Sequence, residues 1–225
     1  AHLSNGLPGF SIVGLPETAV KESKERVRSA ILNSNLEFPS RRITINLAPA
    51  DLPKSGGRFD LAIAVGILAA SGQLDLEKIR GLEFFGELAL SGEVRKVTGI
   101  LPGVIACRNA GRTCQAPKQN EEEAGLVKKA EVLLCSHLLE VCAHLTGRVQ
   151  LSKARVTLPC HQTESFDLQD VKGQHQARRA LSIAAAGGHN LLMRGPPGTG
   201  KTMLASRISS ILPLLTDEQA LEVAS

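Results

Sequence analysis

The hydrophobic pattern at the start of the chain predicts a strand, a helix and a second strand. Residues 7–14 are apolar and bounded by glycine, which indicates a short strand. In the following "PETAVKESKERVRSAILNSN", Pro16 and Glu17 suit the first turn of a helix. The apolar stripe of this helix consists of Val20, Val27, Ala30 and Ile31. "RRITINLAP" then alternates apolar with polar residues up to Pro49, which predicts a strand.

The middle of the chain alternates helices and strands. "DLAIAVGILAASG" is apolar nearly all round and therefore predicts a buried helix, with Asp60 as its N-cap and Gly72 as its stop. "LEFFGELALSGEVRKV" predicts a hairpin with its turn at Ser91 and Gly92. Helices are then expected in "ILPGVIACRNAG", "NEEEAGLVKKA" and "HLLEVCAHLTG", and strands in "TCQAP" and "EVLLC".

These elements suggest two domains. Residues 1–150 form an α+β domain with both hairpins and crossover helices. Residues 151–165 are polar, contain a proline and lack periodicity, so we expect a linker. A second unit occupies residues 166–225.

Composition and charge narrow the classes of binding partner but do not identify one. A net charge of +4 permits an acidic partner such as nucleic acid but does not require it. Six Phe with no Trp or Tyr argue against a platform for base stacking. The outer face of the first helix mixes lysine and arginine with Glu22 and Glu25, which favours a solvated face over a nucleic-acid patch.

We expect no membrane span and no export signal in this sequence, and its cysteines fit a reducing cytoplasm. Its longest apolar runs fall well short of the roughly 20 residues that cross a bilayer. The five cysteines are odd in number and form no C-x-x-C pair. In "CSHLLEVCAH", His137 and Cys142 would point to different faces of a helix, so buried thiols and surface histidines are favoured over a zinc site.

A phosphate-binding loop is the strongest motif of the chain. It runs through Gly195, Pro196, Pro197, Gly198, Thr199, Gly200, Lys201 and Thr202. The apolar "NLLM" before it predicts a buried strand, and "KTMLASRISSIL" after it predicts a helix that ends by Pro213. Backbone N–H groups would face phosphate oxygens, Lys201 would lie between the β- and γ-phosphates, and Thr202 would ligate Mg²⁺.

The motif predicts binding of ATP with Mg²⁺ but not its hydrolysis. Hydrolysis needs an acidic strand and often an arginine from a neighbouring subunit, and neither can be placed in this sequence. After Thr202 we expect one helix and the start of another, with a capping box between Thr216 and Gln219. We therefore expect the sequence to be a piece of a longer ATPase.

Three long stretches resemble one family. "NGLPGFSIVGLPETAVKESKERVRSAI", "RRITINLAPADLPKSGGRFDLAIAVGILAASGQL" and "AAAGGHNLLMRGPPGTGKTMLASRISSILP" resemble the ComM, or YifB, proteins of the magnesium-chelatase-like AAA+ ATPases of bacteria. The resemblance implies a Lon-protease-like domain, of the ribosomal protein S5 domain 2-like fold, followed by the truncated start of a P-loop AAA+ domain. It also implies a first strand before Ala1, a remainder after Ser225, and Val171 and Gly173 beside the adenine.

The resemblance also implies that the first domain is a peptidase fold without its catalytic dyad. Lon-type peptidases use a serine activated by a lysine. The serine position falls on Arg58 and the lysine position on Leu101, while Ser55 and Lys96 lie at the wrong offsets. We therefore expect no peptidase activity.

At the level of function, the resemblance implies a hexameric, cytoplasmic DNA helicase that promotes branch migration during natural transformation. Its partners would be nucleotide, DNA and further copies of itself in a ring, without a membrane. Two alternatives stay open: a chelatase-like or chaperone-like ATPase that remodels proteins, and a chain that binds nucleotide without turnover of its own.

Overall fold

The structure is a computed structural model that describes residues 1–52, 54, 56–156 and 166–224. Its residues divide into two compact units, one of residues 1–158 with 224–225 and one of residues 159–223. Because each unit has its own packing, the two are described separately. None of the helices in the described part of the chain is long and apolar enough to cross a membrane.

The first unit contains nine strands and six α-helices among the residues that the structure describes. The strands are β1 (His2–Ser4), β2 (Gly9–Val13), β3 (Arg42–Asn46), β4 (Leu82–Phe84), β5 (Glu87–Leu88), β6 (Val94–Arg95), β7 (Thr113–Pro117), β8 (Val132–Cys135) and β9 (Ser152–Lys153). The helices are α1 (Thr18–Asn33), α2 (Asp60–Ala70), α3 (Leu76–Ile79), α4 (Leu101–Asn109), α5 (Glu121–Ala124) and α6 (Leu138–Leu145).

Three small sheets organise this unit. In the first, β3 lies between β1, which is antiparallel to it, and β2, which is parallel to it. The second has the order β4-β7-β8-β9, with only β9 antiparallel to its neighbour. The third is the β5–β6 hairpin. Parallel pairs joined by helices, together with a hairpin, confirm the predicted mixture of α and β connections.

The core of the first unit comes from the faces that the sequence pattern marked as apolar. All four residues of the predicted stripe on α1 are fully buried. Helix α2 buries eight of its eleven residues, as expected for a helix that is apolar all round. Gly72 follows its last turn with a φ of 80°, a left-handed conformation that ends the helix.

Asp60 does not have its predicted role. The N-cap of α2 is Phe59, and Asp60 is the first helical residue, fully buried. Its carboxylate accepts a hydrogen bond from Ser23 and lies 2.6 Å from Nε of Arg26, and it also accepts from the Leu88 backbone N–H at 3.2 Å. The N-cap prediction is therefore wrong. The carboxylate instead links α1 to α2 and β5, and these partners compensate for the removal of its charge from water.

The predicted linker starts too early. Ser152 and Lys153 form β9, which pairs with Leu134 and Leu133 of β8. Such a short edge strand carries no periodicity of its own, so its sequence gives no strand signal. Residues 157–165, which complete the predicted linker and include Cys160, lie outside the described residues.

The second unit is helical in its described part. It contains α7 (His175–Gly187), α8 (Lys201–Ala205) and α9 (Asp217–Ala224), with 3-10 turns at Leu168–Asp170 and Ile208–Ser210. A small core of Leu168, Val171, Leu181 and Leu204 joins the first 3-10 turn to α7 and α8. Thr216 and Gln219 exchange the two hydrogen bonds of the predicted capping box.

Two predictions fail around the loop that follows Met193. Residues 190–193 form no strand, and Leu192 is 91% exposed, because no strand of the described second unit lies beside them to pair with. The predicted helix from residue 201 to Pro213 breaks after Ala205 into a turn and a 3-10 segment. Both elements need tertiary contacts to be stable, and a local sequence pattern carries no information about such contacts.

Candidate nucleotide-binding site

The loop of residues 195–202 owes its shape to two glycines. Gly198 and Gly200 have φ values of 80° and 81°, a region that other residues rarely adopt. The Thr199 hydroxyl donates to the carbonyl of Pro196 at 2.9 Å and closes the loop on itself. The backbone therefore wraps tightly, as the phosphate-loop motif predicts.

Lys201 lies over this loop. Its Nζ donates to the carbonyl oxygens of Gly195 at 2.9 Å and Pro196 at 2.8 Å, and lies 3.4 Å from Oγ1 of Thr199. The ammonium is thus held at the loop rather than extended into solvent. Thr202 follows as the second residue of α8, with its side chain exposed.

A second segment of the chain reaches the loop. Gln174, which has a φ of 48°, precedes α7 and donates from its side-chain amide to the Thr199 carbonyl at 3.2 Å. Sequence reasoning did not select Gln174, although it directly follows Gly173 in the "VKGQ" stretch. Its amide fixes the distance between this stretch and the phosphate loop.

Gln174 and the loop border a cavity of about 470 Å³. Its lining joins α7, the extended segment before the loop, and the loop itself: Gln174, Gln176, Ala177, Ala180, Leu191, Leu192, Met193, Arg194, Gly195, Pro196, Thr199, Lys201 and Leu204. This volume is within the range of small-ligand sites. A lining that combines apolar and polar side chains suits a molecule with an apolar part and a charged part.

Val171 and Gly173 occupy different environments, and neither lines this cavity. Val171 is 1% exposed and packs in the small core with Leu181 and Leu204. Gly173 is exposed, with a φ of 73° that turns the chain toward Gln174. Val171 is therefore a packing residue of the small core, while Gln174 makes the contact with the phosphate loop.

The electrostatics of the cavity favour an anion. Among the described residues that line it, Arg194 and Lys201 are cationic and none is Asp or Glu. Such a site attracts phosphate groups. The same lining offers no carboxylate that could orient a water molecule for attack on a phosphate.

The residues present fit magnesium only as a companion of a phosphate ligand. Within the described ranges, no group of three or more His, Cys, Asp or Glu side chains could hold a metal ion. Octahedral Mg²⁺ is usually bound through one or two protein oxygens together with substrate phosphates. The Thr202 hydroxyl is the oxygen that the loop offers for this purpose.

The cysteines of the first unit are buried thiols. Cys107, Cys114, Cys135 and Cys142 are all buried and free, as the sequence indicated. Burial raises the pKa of Cys135 to about 12 and that of Cys142 to about 11. The ring of His137 instead caps α6, because its Nδ1 accepts from the Leu139 N–H at 3.1 Å.

Arg58 and Leu101 are the two positions where the sequence resemblance predicts that a peptidase dyad has been lost. Arg58 precedes α2, and its carbonyl accepts from the Gly86 N–H at 3.1 Å. Leu101 is 2% exposed at the first turn of α4. Lys96 is exposed after β6, and Ser55 lies outside the described residues.

Comparison with known proteins places this arrangement in a family. A family model described as subunit ChlI of Mg-chelatase matches residues 1–120, just over half of the chain, and a second model described as magnesium chelatase, subunit ChlI, matches residues 167–225. The chain belongs to the ComM/YifB family of ChlI-like proteins. Membership agrees with both the glycine-rich loop and the mixed α/β first unit.

Individual relatives match the chain over its whole length. The uncharacterized protein YifB of Salmonella typhimurium is 54% identical over 224 residues, and the YifB protein of Escherichia coli is 53% identical over 224 residues. The competence protein ComM of Haemophilus influenzae is 52% identical over 229 residues. In each case all of this chain is covered, and it spans only 44% to 45% of the relative.

Proposed function

We propose that the loop of residues 195–202 binds the β- and γ-phosphates of ATP. The observation that carries the proposal is the position of Lys201, whose ammonium lies within hydrogen-bond distance of two loop carbonyls. Lys201 would donate to phosphate oxygens, and the Gly198 and Gly200 turns let backbone N–H groups approach them. Thr202 would supply an oxygen to Mg²⁺, which when bound offsets the phosphate charge.

The adenosine part of the nucleotide would occupy the cavity next to the loop. Leu191, Met193 and Ala177 supply an apolar wall there, and Gln174 supplies an amide. Gly173 and Val171 act indirectly in this proposal. Gly173 turns the chain and Val171 anchors it in the small core, which allows the Gln174 side chain to reach Thr199.

In this proposal, residues 1–225 bind ATP but do not hydrolyse it. Among the described residues the cavity has no carboxylate to position an attacking water. Hydrolysis would need an acidic strand and an arginine supplied from elsewhere in a ring of AAA+ subunits. The family's relatives, more than twice as long as this chain, have room for those parts.

For the first unit we propose a Lon-protease-like fold without peptidase activity. The strand–helix–strand crossovers and the β5–β6 hairpin are compatible with that fold. An arginine and a buried leucine at the dyad positions give neither a hydroxyl nucleophile nor an amine base. The unit would serve assembly or ligand contact.

For the whole protein we propose a ring-forming, cytoplasmic ATPase that acts on DNA as a helicase in branch migration. Support comes from the 52% identity to a protein named for competence, which is the uptake of DNA. The family description as a magnesium-chelatase subunit supports the alternative, an ATPase that remodels a protein complex. The DNA dependence of ATP hydrolysis distinguishes the two.

The direct test of the site is nucleotide binding by this chain. We expect Lys201→Ala to weaken binding of a fluorescent ATP analogue about tenfold or more, because charged hydrogen bonds contribute roughly 1.5–3 kcal/mol each. Arg179→Ala is the matched control, since Arg179 is an exposed cation on α7 that does not line the cavity. Equal affinities for the Lys201→Ala variant and the unaltered chain would contradict the proposed site.

A further inference from the structure

The first unit contains a groove between α1 and the start of the β2–β3 pair. The groove has a volume of about 590 Å³. Its lining combines cations, rings and a single carboxylate, with Lys24, Arg28, Arg41, Phe10, Phe38 and Glu25 as the residues that matter here. It belongs entirely to the first unit and shares no residue with the phosphate loop.

Three separate parts of the chain bring these side chains together. Lys24 and Arg28 lie one turn apart on α1, a spacing that puts them on the same face. Phe10 lies on β2, Phe38 lies in the connection from α1 to β3, and Arg41 immediately precedes β3. The Gly9 N–H donates to the Arg41 carbonyl at 3.4 Å, which fixes Arg41 against the start of β2.

The cations of the groove are available to a ligand. Within the part of the chain that the structure describes, no carboxylate lies in ion-pair distance of Lys24, Arg28 or Arg41. By contrast, Arg26 on the same helix is engaged with Asp60 at 2.6 Å. Three cations against one lining carboxylate, Glu25, leave the groove with positive charge.

Two aromatic rings, which the sequence composition did not predict as a stacking surface, line the groove. The rings of Phe10 and Phe38 have centroids 6.0 Å apart and planes inclined at 49°. The Arg28 guanidinium lies 5.7 Å from the Phe38 centroid. Both rings are only partly buried, so they present apolar faces beside the cations.

We infer that this groove binds a single strand of nucleic acid. Lys24, Arg28 and Arg41 would contact consecutive phosphates, and a base would stack on the accessible ring surface of Phe38 or on the guanidinium plane of Arg28. A positive groove with stacking surfaces is the general solution for single strands. A duplex fits less well, because its bases are already stacked and cannot reach the rings.

The inference deepens the DNA role proposed above, yet it rests on residues remote in sequence from the phosphate loop. It also differs from one expectation drawn from the sequence pattern. The α1 pattern alone favoured a solvated face, since acids interrupt the basic residues. Folding adds Arg41 and two rings from outside the helix, which no helical pattern contains.

The test is binding of a fluorescein-labelled oligothymidylate to the whole chain, followed by fluorescence anisotropy at several salt concentrations. We expect the double variant Arg28→Glu with Arg41→Glu to bind about tenfold or more weakly. The slope of log affinity against log salt should also fall by about 0.7 for each lost phosphate contact. Both residues are exposed, so the charge reversals leave the core packing unchanged.

The matched control is Lys78→Glu with Lys118→Glu, which makes the same change in net charge at exposed positions that lie outside the groove and off helix α1. We expect it to retain most of the affinity. Phe38→Leu, with its fold checked by thermal unfolding, should weaken binding without changing the salt slope, because stacking releases no counterions.

Two results would overturn the inference. Equal losses in the groove and control variants would show a general charge effect. Displacement of the oligothymidylate by polyglutamate at matched charge, with no effect of Phe38→Leu, would instead identify an acidic-peptide surface. Binding of the ATP analogue by the same samples separates this failure from failure of the proposed nucleotide site, because the groove variants should bind the analogue normally.

Discussion

At the scale of single residues, the most informative feature is how few of the site residues are recognisable from their immediate neighbours. The phosphate loop is recognisable, because Gly198, Gly200 and Lys201 lie within one short stretch of sequence. Gln174 is not, because its contact with Thr199 joins positions 25 residues apart. Asp60 shows the same limit, since its partners Ser23 and Arg26 come from another helix.

The buried thiols give a prediction at this scale. The pKa of Cys142 is raised from 9.0 to about 11 by burial. Between these values the unfolded chain loses the thiol proton while the folded chain keeps it, so the free energy of unfolding falls as pH rises. We expect Cys142 to contribute a loss of about 1 kcal/mol between pH 8 and pH 10.

The measurement is urea unfolding at both pH values for the unaltered chain and for Cys142→Ser. Serine is close in size and does not ionise in this range, so the variant should lose less stability on going to pH 10. The comparison of the two pH-dependent losses cancels any constant cost of the substitution. Identical losses would show that the Cys142 thiol ionises as readily in the folded chain as in the unfolded one.

At the scale of elements, the longer helices of the first unit and the turn of the β5–β6 hairpin follow from sequence, whereas α3 and the short edge strands do not. The first part of the predicted hairpin, Leu82–Phe84, instead pairs in parallel with β7. Helix α1 and helix α2 carry enough residues for a periodicity to be visible, and both are confirmed. Strands β1 and β9 have three and two residues, too few for a pattern. Residues 190–193 show the opposite case: their sequence has the pattern of a strand, but they form none because no other strand lies beside them to pair with.

The turn of the β5–β6 hairpin offers a test of element packing. Gly92 has a φ of 96°, and a Cβ there would lie 2.5 Å from Ser34 Oγ and 2.7 Å from Cε1 of His137. Gly92→Ala therefore combines backbone strain with a steric clash, and we expect it to lower the free energy of unfolding by roughly 2–4 kcal/mol.

Gly81→Ala is the control for backbone strain alone. Gly81 has a φ of 75°, and a Cβ there would meet nothing within 4 Å. We expect a loss of about 1–2 kcal/mol for this variant. Chemical denaturation measures both, and equal losses for the two glycines would contradict the close packing of the hairpin turn against Ser34 and His137.

At the scale of the whole molecule, the two proposed sites lie in different units. The large core lies in the first unit, where the basic and aromatic groove is also found, and the second unit carries the phosphate loop on a much smaller core. The loop and the division into two units follow from sequence patterns, whereas the groove depends on tertiary contacts between α1, β2 and the connection from α1 to β3. In the proposed ring ATPase, nucleotide binding by one unit would be coupled to contact of the other unit with a strand of DNA.

The central claim is tested most directly by DNA-stimulated ATP hydrolysis of the full-length gene product that contains this chain. The assay compares single-stranded and branched DNA at two salt concentrations, with Lys201→Ala as the control for the phosphate loop. The account predicts stimulation by DNA that weakens as salt rises and disappears in the Lys201→Ala variant. Hydrolysis that depends on Lys201 but is indifferent to DNA would contradict the DNA motor and favour remodelling of a protein complex.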